Sequence, residues 1–297
     1  MGKDLAERFA VARQVFEEAD DALGFAISKL CFEGPAEDLQ LTENTQPAIL
    51  ATSVAAFRAA RENGVPAPSF VAGHSLGEYS ALVAAGVLEL SDALQAVRAR
   101  GQYMQQAVPV GTGAMAAVIG GELSAIEAAC AEASGNQVCS VANSNSPNQV
   151  VIAGNTEAVD RAIELLKGVA KRVIKLNVSA PFHCALMKPA QEKLAAHLER
   201  LAFNEPQMPV VTNVDARITT APDELRDALL RQVSSPVRWT ESMQLLLGQK
   251  VGTFVEVGPG KVLSGLMRQT NREVRCLNVE DAASLEATLA ALAARDE

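Results

Sequence analysis

Apolar positions along this chain change their period several times, and each change marks an element. Residues 1–22 set Leu5, Phe9, Val11, Val15 and Phe16 among charges, the spacing of an amphipathic helix. A second helix is expected with Thr45 as N-cap, Pro47 near its first turn, Ile49, Leu50, Val54 and Phe57 on its buried face and Gly64 at its end. The apolar run Phe70, Val71, Ala72 then reads as a strand, and residues 78–88 as a helix after a turn. Ser91 is expected to cap the next helix, where Leu94, Val97, Gly101, Met104 and Val108 recur at three- and four-residue steps. Arg98 and Arg100 flank that stripe on opposite edges, and periodicity does not choose which of them reaches a cleft.

From Gly111 the texture shifts. Residues 114–119 read as a strand and 123–133 as a helix. Residues 138–141 and 149–153 read as strands around a turn-rich stretch, 143–148; a helix over 156–167 and a strand over 171–178 follow. The order βαββαβ predicts a small ferredoxin-like domain over 111–180. It would be inserted in a larger domain built from 1–110 and 181–297. That domain resumes with helices over 188–201, 223–233, 239–247 and 284–294, and strands over 209–214, 253–257 and 274–279. Strands alternating with helices predict a parallel sheet covered on both faces.

Composition narrows the class. Of 297 residues, 48% are hydrophobic and 21% charged, enough apolar material for a sizeable core. No run approaches the ~18 apolar residues of a membrane span. The start, Met1-Gly2-Lys3-Asp4, lacks the apolar region of a signal peptide. The five cysteines are scattered, without a C-x-x-C pair, which reads as reduced thiols in the cytoplasm. A formal charge of −9 disfavours non-specific nucleic-acid binding. No His/Cys/carboxylate spacing suggests a metal site. Gly258-Pro259-Gly260-Lys261 lacks the pattern of a phosphate loop.

The chemistry concentrates in Gly73-His74-Ser75-Leu76-Gly77, a G-x-S-x-G between a strand and a helix. The turn is expected to need glycine on both sides of the serine, to lift Ser75 Oγ clear of the backbone and to aim the Leu76 N–H at an oxyanion. A serine needs a base within hydrogen-bond reach, and the chain has three histidines. His74 is adjacent to the serine on a sharp turn, where side chains diverge. His197 sits in a charged helix and is expected to be solvated. His183 lies in an irregular stretch where the small domain returns to the large one, and clefts form at such junctions. His183 is therefore the favoured base. Between serine and histidine, neither Asp92 nor Asp160 is a compelling third member, which leaves open a dyad steadied by a backbone carbonyl. Cys184 reads as a small buried residue.

Taken in order, the residues resemble the bacterial malonyl-CoA:acyl-carrier-protein transacylase family. The matching stretches are Gly34-Pro35-Ala36-Glu37 with Thr45-Gln46-Pro47-Ala48, residues 73–80, Arg100-Gly101 with Met104-Gln105, and residues 111–115. Further along are Asn145-Ser146-Pro147, His183-Cys184-Ala185-Leu186-Met187 and residues 256–263. The resemblance implies an α/β-hydrolase-like domain with the ferredoxin-like insert. It also implies Ser75 as acylated nucleophile, His183 as base, and Arg100 as partner of the malonyl carboxylate. Gln232 would orient the histidine through its main-chain carbonyl. Asn145 would shape the cleft, and Phe182 would crowd an α-methyl branch on the acyl group.

No bound cofactor is implied; the substrates would be malonyl-CoA and phosphopantetheinylated acyl carrier protein. A monomer is expected. Lys171, Arg172, Lys188 and Lys193 are candidates for a basic face toward the acidic carrier. The family opens with a strand and an F-P-G-Q-G-S-Q loop ahead of the segment matching residues 1–5, and this sequence does not contain them. In the family that loop supplies a second oxyanion donor. Leu76 N–H alone is thus expected here, with an apolar gap in the sheet and with Met1 an internal methionine of a longer natural protein. The competing readings are a serine hydrolase or thioesterase with the same elbow, and an inactive binder of carrier protein or coenzyme A.

Overall fold

The structure, a computed structural model, describes residues 1–109, 111–178 and 180–294. Val110 and Ser179, at the expected domain boundaries, lie outside the described residues, as do the last three.

The first helical stretch is two helices, Lys3–Arg8 and Ala10–Leu23, because Phe9 is extended (φ −119°, ψ 122°). Both reach the core, through Leu5 and through Val15, Phe16 and Ala19. The next long helix, Thr42–Glu62, starts before Thr45, whose hydroxyl donates back to the Leu39 carbonyl at 2.5 Å, with the Leu41 carbonyl 3.1 Å away, instead of capping. Ser91 is likewise inside its helix, Leu90–Ala107, not its cap. Two short helices, Ile27–Glu33 and Ala36–Gln40, occupy a stretch where periodicity assigned nothing.

The large part's strands form two sheets where one was expected. Val71–Ala72 pairs in parallel with Val210–Val211, which pairs antiparallel with Ile218–Thr219. Thr253–Val257 pairs in parallel with Arg275–Val279. No ladder joins the two sheets among the described residues. Both sheets lie between the same two apolar layers. Val71, Val255 and Val257 pack toward a helical core that includes Leu50, Val54, Leu82 and Leu94. Phe70, Ala72 and Phe254 face the other layer, with Trp239, Met243, Leu246 and Leu266. Successive strand residues point to opposite faces, so apolar side chains at every position are what a doubly covered sheet requires.

Residues 113–175 build a four-stranded antiparallel sheet from Gly113–Ile119, Cys139–Ser146, Gln149–Asn155 and Arg172–Lys175. Numbered along the chain, the strands lie in the order 2-3-1-4, the ferredoxin-like arrangement. One face (Ala114, Ala116, Val118, Ile152) packs on helices Leu123–Ser134 and Thr156–Leu166. The other (Met115, Ala117, Val151, Ala153) packs on Phe182, Cys184 and Leu186. That second face therefore seats the segment carrying His183.

Of the stretch expected as a turn, 143–148, residues 143–146 are strand, with register shifts after Val141 and Ser144. Its polar groups are buried but satisfied across the junction. Ser144 N–H donates to the Val237 carbonyl at 2.9 Å, Val237 N–H to the Ala142 carbonyl at 2.9 Å, and Ser144 Oγ to Thr240 Oγ1 at 3.1 Å. No helix of the described residues is long and apolar enough to cross a membrane.

Candidate active site

Ser75 sits at the apex of the bend with φ 51°, in the left-handed region. Gly73 makes the bend possible: a Cβ there would lie 1.8 Å from the Gly77 carbonyl oxygen. Gly77 differs from expectation, since a Cβ there would meet nothing within 4 Å. The bend needs one glycine, not two. It is fastened from outside by Asn213, whose Oδ1 accepts from Ser75 N–H and whose Nδ2 donates to the Gly73 carbonyl, both at 2.7 Å. Leu76 N–H, at the start of helix Gly77–Ala84, bonds to no acceptor among the described residues.

His183 is the histidine that reaches the serine. Ser75 Oγ lies 2.7 Å from its Nε2, and its Nδ1 is 2.9 Å from the Gln232 carbonyl. Nδ1–H donates to that carbonyl, which leaves Nε2 free to accept the serine proton. Burial and the neighbouring Arg100 charge push the imidazole down to about 3. It is therefore neutral at any ordinary pH, with Nε2 open to accept a proton.

Arg100 completes the cluster. It is 2% exposed, and its Nη2 donates to Ser75 Oγ and to Gln232 Oε1, both at 3.0 Å, while Nη1 donates to Gln46 Oε1 at 2.7 Å. It forms no ion pair among the described residues. Arg98 points elsewhere, to Asn44 and over the Phe25 ring. The tie that periodicity left is settled by which edge of the helix faces the bend.

A neutral imidazole on a strained serine, beside an unpaired buried guanidinium, is equipped for acyl transfer to and from the hydroxyl. The family model described as "Acyl transferase domain" matches residues 1–296. The chain belongs to this acyl transferase family.

Among its relatives, the malonyl CoA-acyl carrier protein transacylase of Escherichia coli K12 is 52% identical over 267 residues, spanning 90% of this chain and 86% of that one. The crystal structure of an acyl carrier protein S-malonyltransferase from Vibrio cholerae superposes with a TM-score of 0.95 at 52% identity, over 97% of this chain and 94% of that one. A malonyl-transacylase in complex with a type II PKS acyl-carrier protein superposes with a TM-score of 0.95 at 50% identity, over 98% and 94%.

The other expected residues of this acyl transferase take the following places. His74 turns away from the serine, to Asn145 Oδ1 at 2.7 Å and edge-on to Trp239. Asn145 thus touches the elbow through His74, and among the described residues no hydrogen bond joins it to Ser75, His183 or Arg100. Phe182 is half-buried beside His183, packed against both the large core and the small sheet. Cys184 donates to the Pro181 carbonyl at 3.1 Å, and burial pushes its thiol up to about 11, far from a nucleophile's range. His197 is half-buried, not solvated, with an unpartnered Nε2.

Sequence reasoning missed the polar residues behind the site. Gln232 acts with its side chain as well as its carbonyl: Nε2 donates to the Ser75 carbonyl at 2.9 Å and to Glu78 Oε2 at 2.8 Å. Gln46 and Glu78 lie in stretches that carry the resemblance but are given no role there, and Asn213 is not named. The signal for two of them was available: Gln46 directly precedes the apolar run 47–51, and Glu78 is the sole charged residue between Glu62 and Glu89. A polar residue on a buried face is the informative exception.

Proposed function

We propose that this acyl transferase moves a malonyl group from malonyl-CoA to the phosphopantetheine thiol of acyl carrier protein, through a malonyl ester on Ser75. The observation that carries this reading is the buried Arg100 guanidinium, 3.0 Å from Ser75 Oγ and without a carboxylate partner among the described residues. A buried cation with no carboxylate in direct contact is costly, the buried Glu78 being held off by the Gln232 amide, and an acyl group ending in a carboxylate would pair with it directly. A hydrolase of simple esters has no use for it. Relatives at about half identity carry the name of that transferase.

In the first half-reaction His183 Nε2 takes the Ser75 proton as Oγ attacks the thioester carbonyl. The oxyanion rests on Leu76 N–H. The thioester bond breaks and coenzyme A leaves as the thiol, taking its proton from His183. Arg100 swings its Nη2 bond from Oγ to the malonyl carboxylate and holds the ester in place. The carrier's thiol then attacks with the same base. Phe182 limits room for an α-methyl branch, and one methyl discriminates by about 1–3 kcal/mol. The small domain, taken as residues 111–180, forms the far lip of the cleft and carries Asn145.

We read the enzyme as a cytoplasmic monomer needing no bound cofactor. Lys171, Arg172, Lys188 and Lys193 are all exposed, and none forms an ion pair among the described residues, which suits them to an acidic carrier. Incubation with radiolabelled malonyl-CoA and acetyl-CoA tests the core reading. The native chain is expected to retain malonyl label on Ser75 in strong preference to acetyl. Arg100→Ala is expected to lose that preference by about 100-fold or more, the worth of a charge-assisted pair. Equal labelling by both thioesters in the native chain would overturn it.

A further inference from the structure

Behind Arg100 lies a carboxylate that the reaction above does not use. Glu78 is 1% exposed, on the first turn of the helix after the elbow. Its Oε2 accepts from Gln232 Nε2 at 2.8 Å and from Asn213 N–H at 3.2 Å, while Oε1 has no partner. Gln232 is fully buried and its amide is spanned by two opposite charges: Nε2 faces Glu78 and Oε1 faces Arg100 at 3.0 Å. An amide can be flipped, and flipped it would turn Nε2 toward the guanidinium and its oxygen toward the carboxylate. The carboxylate forbids the flip. The same Gln232 holds the His183 imidazole and the Ser75 carbonyl, so its orientation sets the whole site.

We propose that Glu78 is a positioning residue that fixes the Gln232 amide and serves as Arg100's resting counter-charge, taking up one proton from solvent when the acyl carboxylate reaches Arg100. This rests on the reading of Arg100 as the acyl-carboxylate site. Free, the pocket holds one buried cation and one buried anion. Bound, a second anion arrives, and two buried anions against one cation are costly. The vacant Oε1 is where the proton goes. Burial already pushes Glu78 up to about 7, against the opposing pull of its hydrogen bonds and of Arg100. The other charged or titratable groups near it are Tyr79, with the Arg100 guanidinium 5.9 Å from its ring centroid, His183 behind Gln232, and Asp215, which is tied to Arg231 at 2.7 Å.

The test is proton uptake on acylation. Native protein and Glu78→Gln are mixed with malonyl-CoA at pH 7.5 in weak buffer with an indicator dye, and label on Ser75 is counted in parallel. At that pH the released coenzyme A thiol stays largely protonated and contributes equally to both. The native chain is expected to take up on the order of half a proton per malonyl-serine. Glu78→Gln is expected to acylate about tenfold more slowly and to take up none. Above pH 7 the native acylation kcat/KM is expected to fall by up to about tenfold per unit, and that of the variant to stay flat.

Equal uptake in both proteins, or none in the native chain, overturns the role of Glu78 while leaving Arg100's intact. Equal labelling of Arg100→Ala by malonyl-CoA and of the native chain would instead overturn the underlying reading. If Glu78→Gln does not fold, infrared difference spectra of native protein with 13C-labelled glutamate decide the matter. A protonated-carboxyl band that shifts with the label must appear on malonyl loading, and its absence overturns the proposal.

Discussion

Ser75 and His183 meet with both backbones left-handed, at φ 51° and 59°. Such conformations cost non-glycine residues about 1–3 kcal/mol each and persist only where their surroundings over-determine them. Asn213 does this for the serine and the Gln232 carbonyl for the histidine. The buried imidazole has a consequence for pH. Being neutral above about 3, it keeps its basic form where an ordinary histidine would lose it. Single-turnover acylation is therefore expected to change less than threefold between pH 6.5 and 5; a free imidazole would lose about 16-fold. Stability carries the same signature with its own sign. The unfolded chain binds a proton at this residue below about pH 6.5 and the folded chain does not, so stability falls as pH drops toward 4. Thermal denaturation across pH 6.5 to 4 is expected to show a smaller loss for His183→Gln than for the native chain.

At the scale of elements, the elbow tolerates change unequally. Gly73→Ala would drive a methyl into the Gly77 carbonyl and is expected to cost several kcal/mol or prevent folding; Gly77→Ala opens onto free space and is expected to cost less than about 1 kcal/mol. Chemical denaturation of the two variants separates them. The strand Cys139–Ser146 shows a second kind of dependence. Its Asn-Ser-Asn-Ser run has the composition of a turn, yet the Val237 backbone and Thr240 hydroxyl across the junction satisfy its polar groups. Thr240→Val leaves Ser144 Oγ without that partner and is expected to cost about 1–3 kcal/mol of unfolding free energy.

For the whole molecule, two layers hold a sheet that is locally incomplete. Every residue of Thr253–Val257 is partly exposed and, among the described residues, laddered on one side only, whereas Gly113–Ile119 is laddered on both sides and nearly all buried. Amide hydrogen exchange is expected to be at least tenfold faster across 253–257 than across 113–119. Carrier docking belongs to this scale too. With a formal charge of −9 on the chain, transfer to an acidic carrier must use a local basic face and is expected to slow with added salt. Lys188→Glu is expected to raise the carrier KM several-fold and leave malonyl loading unchanged.

Much of this was legible in the chain alone. Periodicity located most helices and strands, including Thr253–Val257 to the residue, because burial on one face or two leaves a local record in spacing. The βαββαβ order of residues 113–175 and the strand–turn–helix around the serine followed from the same local rules, whereas the division of the large part's strands into two sheets did not, and Ser75 and His183 could be named by chemistry and elimination. Spacing could not reveal what comes together across the fold. Ser75 and His183 are 108 residues apart, and Gln232 reaches Ser75 across 157. The choice of Arg100 over Arg98, the service of the Gln232 side chain, the clamp of Asn213 and the buried charge of Glu78 all depend on such contacts. Polar side chains are buried only where distant partners satisfy them, and which partners arrive is decided by packing of whole layers, not by any neighbour in sequence.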